Sequence, residues 1–147
     1  MLYDKSILRL LETCKNVLCS NKEKSIILIY SENKKELQRL CCALCEIVAH
    51  GYYVSRDELS QMMIEAMKDE TQRVVINDSK DNPLLFLNDF ELIAGKKIIQ
   101  NIAYDILCQR VNKNKKTIIF SEMDVFAGKM FSNRIQDLLC ESYKFEL

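Results

Sequence analysis

A three-layer α/β fold, a parallel sheet of about five strands with helices on both faces, is what this 147-residue chain predicts. Two observations carry the prediction. Short continuous apolar runs at Ser25–Tyr30 (SIILIY), Leu84–Leu87 (LLFL) and Lys116–Phe120 (KTIIF) have the length and composition of strands buried on both faces. Between them, apolar residues recur at helical spacing, so strands and helices alternate along the chain.

Taken in order, Asp4 to Cys19 carries Ile7, Leu8, Leu10, Leu11, Cys14, Val17 and Leu18 at helical spacing. The SIILIY strand follows. Asn33 with Glu36 has the form of a capping box, opening a helix to about Ala49 with Leu37, Leu40, Cys41, Leu44, Cys45 and Val48 on one face. Gly51 is placed to stop it in a left-handed turn. Tyr52–Val54 is a short strand, and Ser55 with Glu58 caps a helix through Leu59, Met62, Met63, Ala66 and Met67. Asn77–Pro83 is polar and turn-rich and is predicted as a loop. After the Leu84–Leu87 strand comes a helix from about Lys96 to Val111. Beyond the KTIIF strand, Phe131–Cys140 reads as a helix and Tyr143–Glu146 as a last strand. No repeat, low-complexity tract or linker divides the chain, which predicts one domain over residues 1–147.

Composition excludes several function classes. Lys plus Arg and Asp plus Glu both number 21, so no net field draws the chain onto nucleic acid or an anionic membrane. No apolar run approaches the roughly 18 residues of a membrane span, and the first residues lack a signal-peptide pattern. Seven cysteines, an odd number, argue for reduced thiols and a cytoplasmic location. Gly-x-Ser-x-Gly, His-Glu-x-x-His and acidic calcium-loop patterns are absent, and His50 is the single histidine.

The Leu84–Leu87 run delivers Asn88 and Asp89 at a strand end, the edge of an open α/β sheet where ligands sit. The whole segment Leu84 to Gln100 (LLFLNDFELIAGKKIIQ) resembles the Walker B region of the ATPase domain of the bacterial replication initiator DnaA and its regulatory relative Hda. Tyr52-Tyr53-Val54-Ser55 with Glu58-Leu59 is similar to that family's second strand and next helix entry. Lys116 to Ser121 is similar to its sensor 1 strand. More weakly, Asn133-Arg134-Ile135 and Tyr143 to Glu146 resemble its Asp-Arg-Leu and last strand. The resemblance implies an AAA+ P-loop NTPase fold without the helical lid.

The departures from the family carry the functional expectation. A P-loop of the form Gly-x-x-x-x-Gly-Lys-Thr should follow the strand ending at Tyr30, because glycines let consecutive N–H groups wrap phosphates. Here Ser31 and Glu36 replace the glycines, Leu37 and Gln38 replace the Lys and Thr, and Lys34 and Lys35 read as solvated first-turn lysines. Asn88 stands for the Mg²⁺-holding acid and supplies no charge. Asp89 matches the acid that polarises water and, alone, is expected to make structural hydrogen bonds. Ser121 matches sensor 1, but Glu122 and Met123 follow where Ser and Asp are expected, and Cys140 to Lys144 holds no arginine finger.

Other groupings take plainer readings. Cys42, Cys45 and His50 can be drawn as a zinc site, but no second Cys pair follows, and core packing is preferred. Arg110, Lys113, Lys115 and Lys116 form a basic edge that is the candidate for phosphate contacts, with a solvated loop preferred. Met62, Met63 and Met67 form a stripe assigned to the core over an adaptable partner surface. A receiver-like domain fails because Ser31-Glu32 supplies one acid where a pair is needed. The expectation is therefore a non-enzymatic, DnaA-like regulator or adaptor without cofactor, metal or nucleotide. Its partner would be a replication protein such as the initiator, helicase or clamp, with weak or no nucleic-acid binding and no membrane. The alternative is a residual nucleotide-dependent ATPase or helicase-loader-type domain.

Overall fold

The structure, a computed structural model, describes residues 5–20, 24–48 and 50–147; the expected helix limits Asp4 and Ala49 lie outside them. Five strands, β1 (Ile26–Tyr30), β2 (Tyr52–Val54), β3 (Leu84–Leu87), β4 (Lys116–Ser121) and β5 (Tyr143–Glu146), form one sheet in the order β2-β3-β4-β1-β5. Every neighbouring pair is parallel. The helices are α1 (Lys5–Cys19), α2 (Lys34–Ile47), α3 (Arg56–Glu65), α4 (Val74–Asp81), α5 (Lys97–Asn112) and α6 (Asn133–Cys140), with a 3₁₀ turn at Phe90–Ile93.

The order of strands dictates which helix lies on which face. From β1 the chain jumps to the β2 edge, then steps back through β3 and β4 and on to β5. Parallel crossovers are right-handed, so reversing direction along the sheet moves the connecting helices to the opposite face. Accordingly α1 and α2 pack Leu10, Cys14, Leu40 and Leu44 onto Ile27, Ile29, Phe86 and Phe120. On the other face, α3 to α6 pack Met62, Ile76, Leu107 and Ile135 onto Leu28, Leu85, Leu87 and Ile119. Because both faces are covered, every residue of β3 and β4 is buried, which is why β3 reads as an unbroken apolar run and β4 carries Ile118-Ile119-Phe120 at its centre.

Residues 77–83, expected as a loop, are mostly helix, because α4 runs from Val74 to Asp81. Its caps come from far away in sequence. Arg73, at the N-cap, makes no side-chain cap bond. Instead the buried Glu65 carboxylate, at the end of α3, accepts from the Val75 and Ile76 N–H groups, both at 3.0 Å. At the other end the Arg110 guanidinium donates to the carbonyls of Ser79 (2.8 Å) and Asn82 (2.6 Å). No local pattern encodes either partner.

Gly51 also has a different role from the one expected. The C-cap of α2 is Val48, already extended at φ −110°, ψ 108°, so no left-handed glycine ends the helix. A Cβ on Gly51 would collide with the Phe86 ring, so the glycine makes room for that ring. The same ring stacks on Tyr53, with centroids 4.9 Å apart.

Two outcomes are expected in denaturant unfolding. Leu85→Ala, at a fully buried position, should cost roughly 2–5 kcal/mol through the cavity it leaves. Glu65→Ala should cost about 1–3 kcal/mol by leaving buried α4 donors unpaired. In hydrogen exchange, the latter should speed the Val75 and Ile76 amides selectively; unchanged exchange there would show that Glu65 does not cap α4.

Candidate functional site

The C-terminal ends of β1, β3 and β4 and the start of α2 converge on one edge of the sheet, and the turn from β1 into α2 sets its character. Ser31 is buried, and its N–H donates to the Ser121 carbonyl at 3.2 Å, extending the β1–β4 ladder past the strand. Asn33 then caps α2, its side chain accepting from the Lys35 N–H (3.0 Å) and the Glu36 N–H (3.4 Å). The Ser31 hydroxyl accepts from the Asn33 N–H at 3.0 Å and donates to the Glu36 carboxylate at 3.3 Å. The Leu37 N–H bonds the Asn33 carbonyl at 3.2 Å. The donors that would cradle a phosphate are thus turned inward, and Glu36 adds a negative charge beside them. Leu37, in the aligned lysine position, is buried against the α1–α2 core, while Gln38 is exposed.

At the end of β3 the Asn88 N–H donates to the Val54 carbonyl at 2.8 Å. The Asn88 side-chain oxygen accepts from the Cys41 thiol at 3.3 Å, and Cys41 Sγ lies 3.4 Å from the Tyr53 hydroxyl. Asp89 adopts the left-handed conformation (φ 57°, ψ 35°), which Asp and Asn tolerate better than other side chains. Its carboxylate pairs with the Lys34 ammonium at 3.1 Å, and Lys34 lies 3.9 Å from Glu91. The hydrogen bond that Lys34 donates to Asp89 raises the Lys34 pKa, burial opposes it, and the charges of Asp89, Glu91 and Glu122 add to the rise. Lys34 is therefore not the idle solvated lysine expected from the sequence. Because Lys34 is well exposed, its pair with Asp89 is worth about 0.2–1 kcal/mol.

Glu91 was not foreseen. One of its oxygens accepts from the Glu122 N–H at 2.9 Å, tying the β3 end to the β4 end, while the other is buried without a hydrogen-bond partner. Ser121 spends its hydroxyl on its own turn, donating to the Met123 carbonyl at 2.6 Å and accepting the Met123 N–H at 3.2 Å. The remaining cavity has a volume of about 370 Å³ and is lined by Lys34, Gln38, Cys41, Tyr53, Asp89 and Glu91 among others. Two carboxylates against one ammonium give it the wrong sign for a polyphosphate.

The basic edge does not assemble. Arg110 is fully buried, with Nε donating to Thr117 Oγ1 at 2.8 Å and Nη2 to the Lys116 carbonyl at 2.6 Å. Burial lowers its pKa to about 10, still charged at neutral pH. It joins α5, α4 and β4 and cannot reach a phosphate at the surface. Lys116 is buried as well, and Lys115 donates to the Asp81 carbonyl at 2.5 Å, leaving Lys113 exposed. Among the described residues no group of three His, Cys, Asp or Glu stands close enough to hold a metal, and His50 with Cys42 and Cys45 forms none. Met62 is core, whereas Met63 and Met67 are exposed. Arg134 lies over the Tyr104 ring at 4.1 Å.

Gln100 is a second residue whose role the sequence hides. Buried in α5, it donates to the Ile93 (2.9 Å) and Met130 (2.7 Å) carbonyls and accepts from the Ser132 N–H (2.8 Å). It thereby fixes the turn after Asp89 to the loop before α6, where Phe90 stacks on Phe131 with centroids 5.2 Å apart. A polar residue on the inner face of α5, in line with Ala103 and Leu107, is the signal that points to it.

A parallel α/β domain with a Walker B-like strand end and a closed β1–α2 turn is an AAA+-like P-loop NTPase fold. The chain belongs to the bacterial DnaA ATPase domain family, whose model matches residues 46–141. That match begins after the β1–α2 turn. The structure is similar to AMPPCP-bound DnaA from Aquifex aeolicus (21% identity, TM-score 0.83, 99% of this chain and 48% of that one). It is also similar to domain III of DnaA from Thermotoga maritima (12% identity, TM-score 0.77, 100% and 64%) and to a DnaC helicase loader (15% identity, TM-score 0.68, 100% and 93%). The chain thus spans about half the length of the first DnaA chains it resembles. No curated protein matches it in sequence. Among the described residues no helix is long and apolar enough to cross a membrane.

The seven cysteines are free, and their environments rank their reactivity. Burial pushes the Cys14 thiol up to about 12 and holds Cys41 far above its ordinary value, so neither forms thiolate near pH 8. Exposed Cys19, Cys42 and Cys140 should be alkylated rapidly in the folded protein, with Cys14 and Cys41 labelled only on unfolding. Mass spectrometry of timed samples checks this; fast labelling of Cys41 would mean that its thiol is not held against Asn88 and Tyr53.

Proposed function

We propose that this domain is a non-catalytic DnaA-like module that acts by binding a protein in replication initiation, with the initiator, helicase or clamp as partner, in the cytoplasm. The observation that carries the reading is the β1–α2 turn. The Asn33 side chain takes the Lys35 and Glu36 N–H donors of α2, the Ser31 hydroxyl takes the Asn33 N–H, and Leu37 stands in the core where a phosphate-binding lysine is needed. The Asp89 carboxylate is paired with the Lys34 ammonium. A scaffold that keeps the family fold while closing its phosphate site retains its surfaces as its means of action.

A second reading, residual nucleotide-dependent ATPase or helicase-loader activity, draws on the roughly 370 Å³ cavity with Lys34 and Asp89 in its wall. It would require the Lys34–Asp89 pair to open and phosphate to bind against Glu36 and Glu91. The sign of the site favours the first reading.

Melting with and without millimolar Mg²⁺–ATP or Mg²⁺–ADP separates the two. A ligand at 100 times its Kd adds about 2.7 kcal/mol and would raise the midpoint by several degrees; no shift is expected. Asp89→Asn keeps a side chain that tolerates the left-handed backbone and removes only the charge. It should cost at most about 1 kcal/mol and leave phosphate release at background. A clear nucleotide shift, or ATP turnover that Asp89→Asn abolishes, would replace this reading with the second.

A further inference from the structure

Apart from the inherited nucleotide edge, a groove of about 720 Å³ lies between α3, the 3₁₀ turn and the start of α5. Its floor is formed by the buried side chains of Leu59, Ile93 and Ile99. Met63 and Ile98 stand over it with 37% and 63% of their surface exposed, and Leu92 completes the apolar wall. Single exposed apolar residues are ordinary on any surface, but a concave, continuous set over a buried floor marks a place where something packs.

The charge of the rim narrows what packs there. Arg56, Lys96 and Lys97 line the groove and no carboxylate does. Among the described residues none forms an ion pair with these three cations. Lys96 and Lys97 also sit at the N-terminus of α5, which has no acidic residue in its first turn and no side-chain cap, so the helix dipole adds to the positive rim. On a chain of zero net charge this positive border is local, and it falls on the apolar groove. The lining contains no aromatic side chain on which a base could stack, which disfavours single-stranded nucleic acid as the natural occupant.

From these observations we propose that the groove is the docking site for an acidic, amphipathic segment of a partner protein. Apolar side chains of that segment would enter over Leu59 and Ile99 between Met63 and Ile98, while flanking Asp or Glu pair with Arg56, Lys96 and Lys97. Methionine on the wall suits such a site, because its flexible thioether adapts to different apolar knobs. The inference rests on the protein-binding reading above and assigns that binding to one surface, remote in chemistry from the Asn88–Asp89 edge.

A phage-displayed library of random twelve-residue peptides, selected on the intact protein, tests it. Selected sequences should combine apolar residues with Asp or Glu, and one synthesised with a fluorescent label should bind in anisotropy titrations. Met63→Glu and Ile98→Glu, both at exposed positions, should weaken that binding about tenfold or more without lowering the melting midpoint. Lys96→Ala with Lys97→Ala should weaken it and flatten its salt dependence. Failure to select any peptide, selection of peptides without acids, or binding indifferent to Met63→Glu and Ile98→Glu would overturn the inference. An oligo(dT) strand that binds more tightly than the selected peptide and depends on Lys96 and Lys97 but not on Met63 would assign the groove to nucleic acid instead. None of these outcomes bears on the nucleotide melting experiment, so the two readings fail separately.

Discussion

The turn from β1 into α2 is the constraint on which both the fold and the site depend. β1 lies inside the sheet between β4 and β5, and α2 must leave its C-terminal end and cover one face before the chain can reach β2 at the edge. Three residues make that passage, Ser31 to Asn33, with Ser31 still bonded to the β4 ladder and Asn33 already capping the helix. A phosphate-binding loop at the same place needs more backbone and glycine freedom to point successive N–H groups outward. The short, self-capped passage fixes α2 firmly and engages the N–H groups at its start within the chain.

With the phosphate cradle closed, the polar residues at the neighbouring strand ends turn to one another. Lys34 answers Asp89, Cys41 answers Asn88, and Glu91 holds the Glu122 backbone. A carboxylate near an ammonium at a partly exposed edge gives little stability. Its consequence is chemical: the charge that would hold a metal or orient water is engaged within the chain. The buried oxygen of Glu91 that makes no hydrogen bond, with Lys34 only at 3.9 Å, marks where this internal accommodation is incomplete.

On the opposite face the structure relies on side chains that reach across sequence. Glu65 caps α4 at one end, Arg110 closes the other, and Gln100 ties the 3₁₀ turn to the loop before α6. A buried, charged guanidinium is tolerable only because four acceptors receive it, two in β4 and two carbonyls at the C-terminal end of α4 whose partial charge suits a cation. These bonds hold α3, α4 and α5 in the relative positions that open the groove beside Met63 and Ile98.

Legible from residue order were the alternation of strands and helices, the two-face burial of β3 and β4, the capped starts of α2 and α3, and the absence of the P-loop glycine pattern after Tyr30. Each of these follows from residues within a few positions of one another: apolar runs, 3.6-residue spacing, Asn33 and Ser55 at helix starts, and missing glycines. Tertiary structure alone decided that residues 77–83 are mostly helix, since the donors and acceptors that cap α4 come from Glu65 and Arg110. It decided too that Gly51 yields space to the Phe86 ring, that Arg110 is core and not surface, and that Lys34 reaches Asp89. Those outcomes depend on which side chains meet across the sheet and its layers, and spacing along one strand or helix carries no record of a partner tens of residues away.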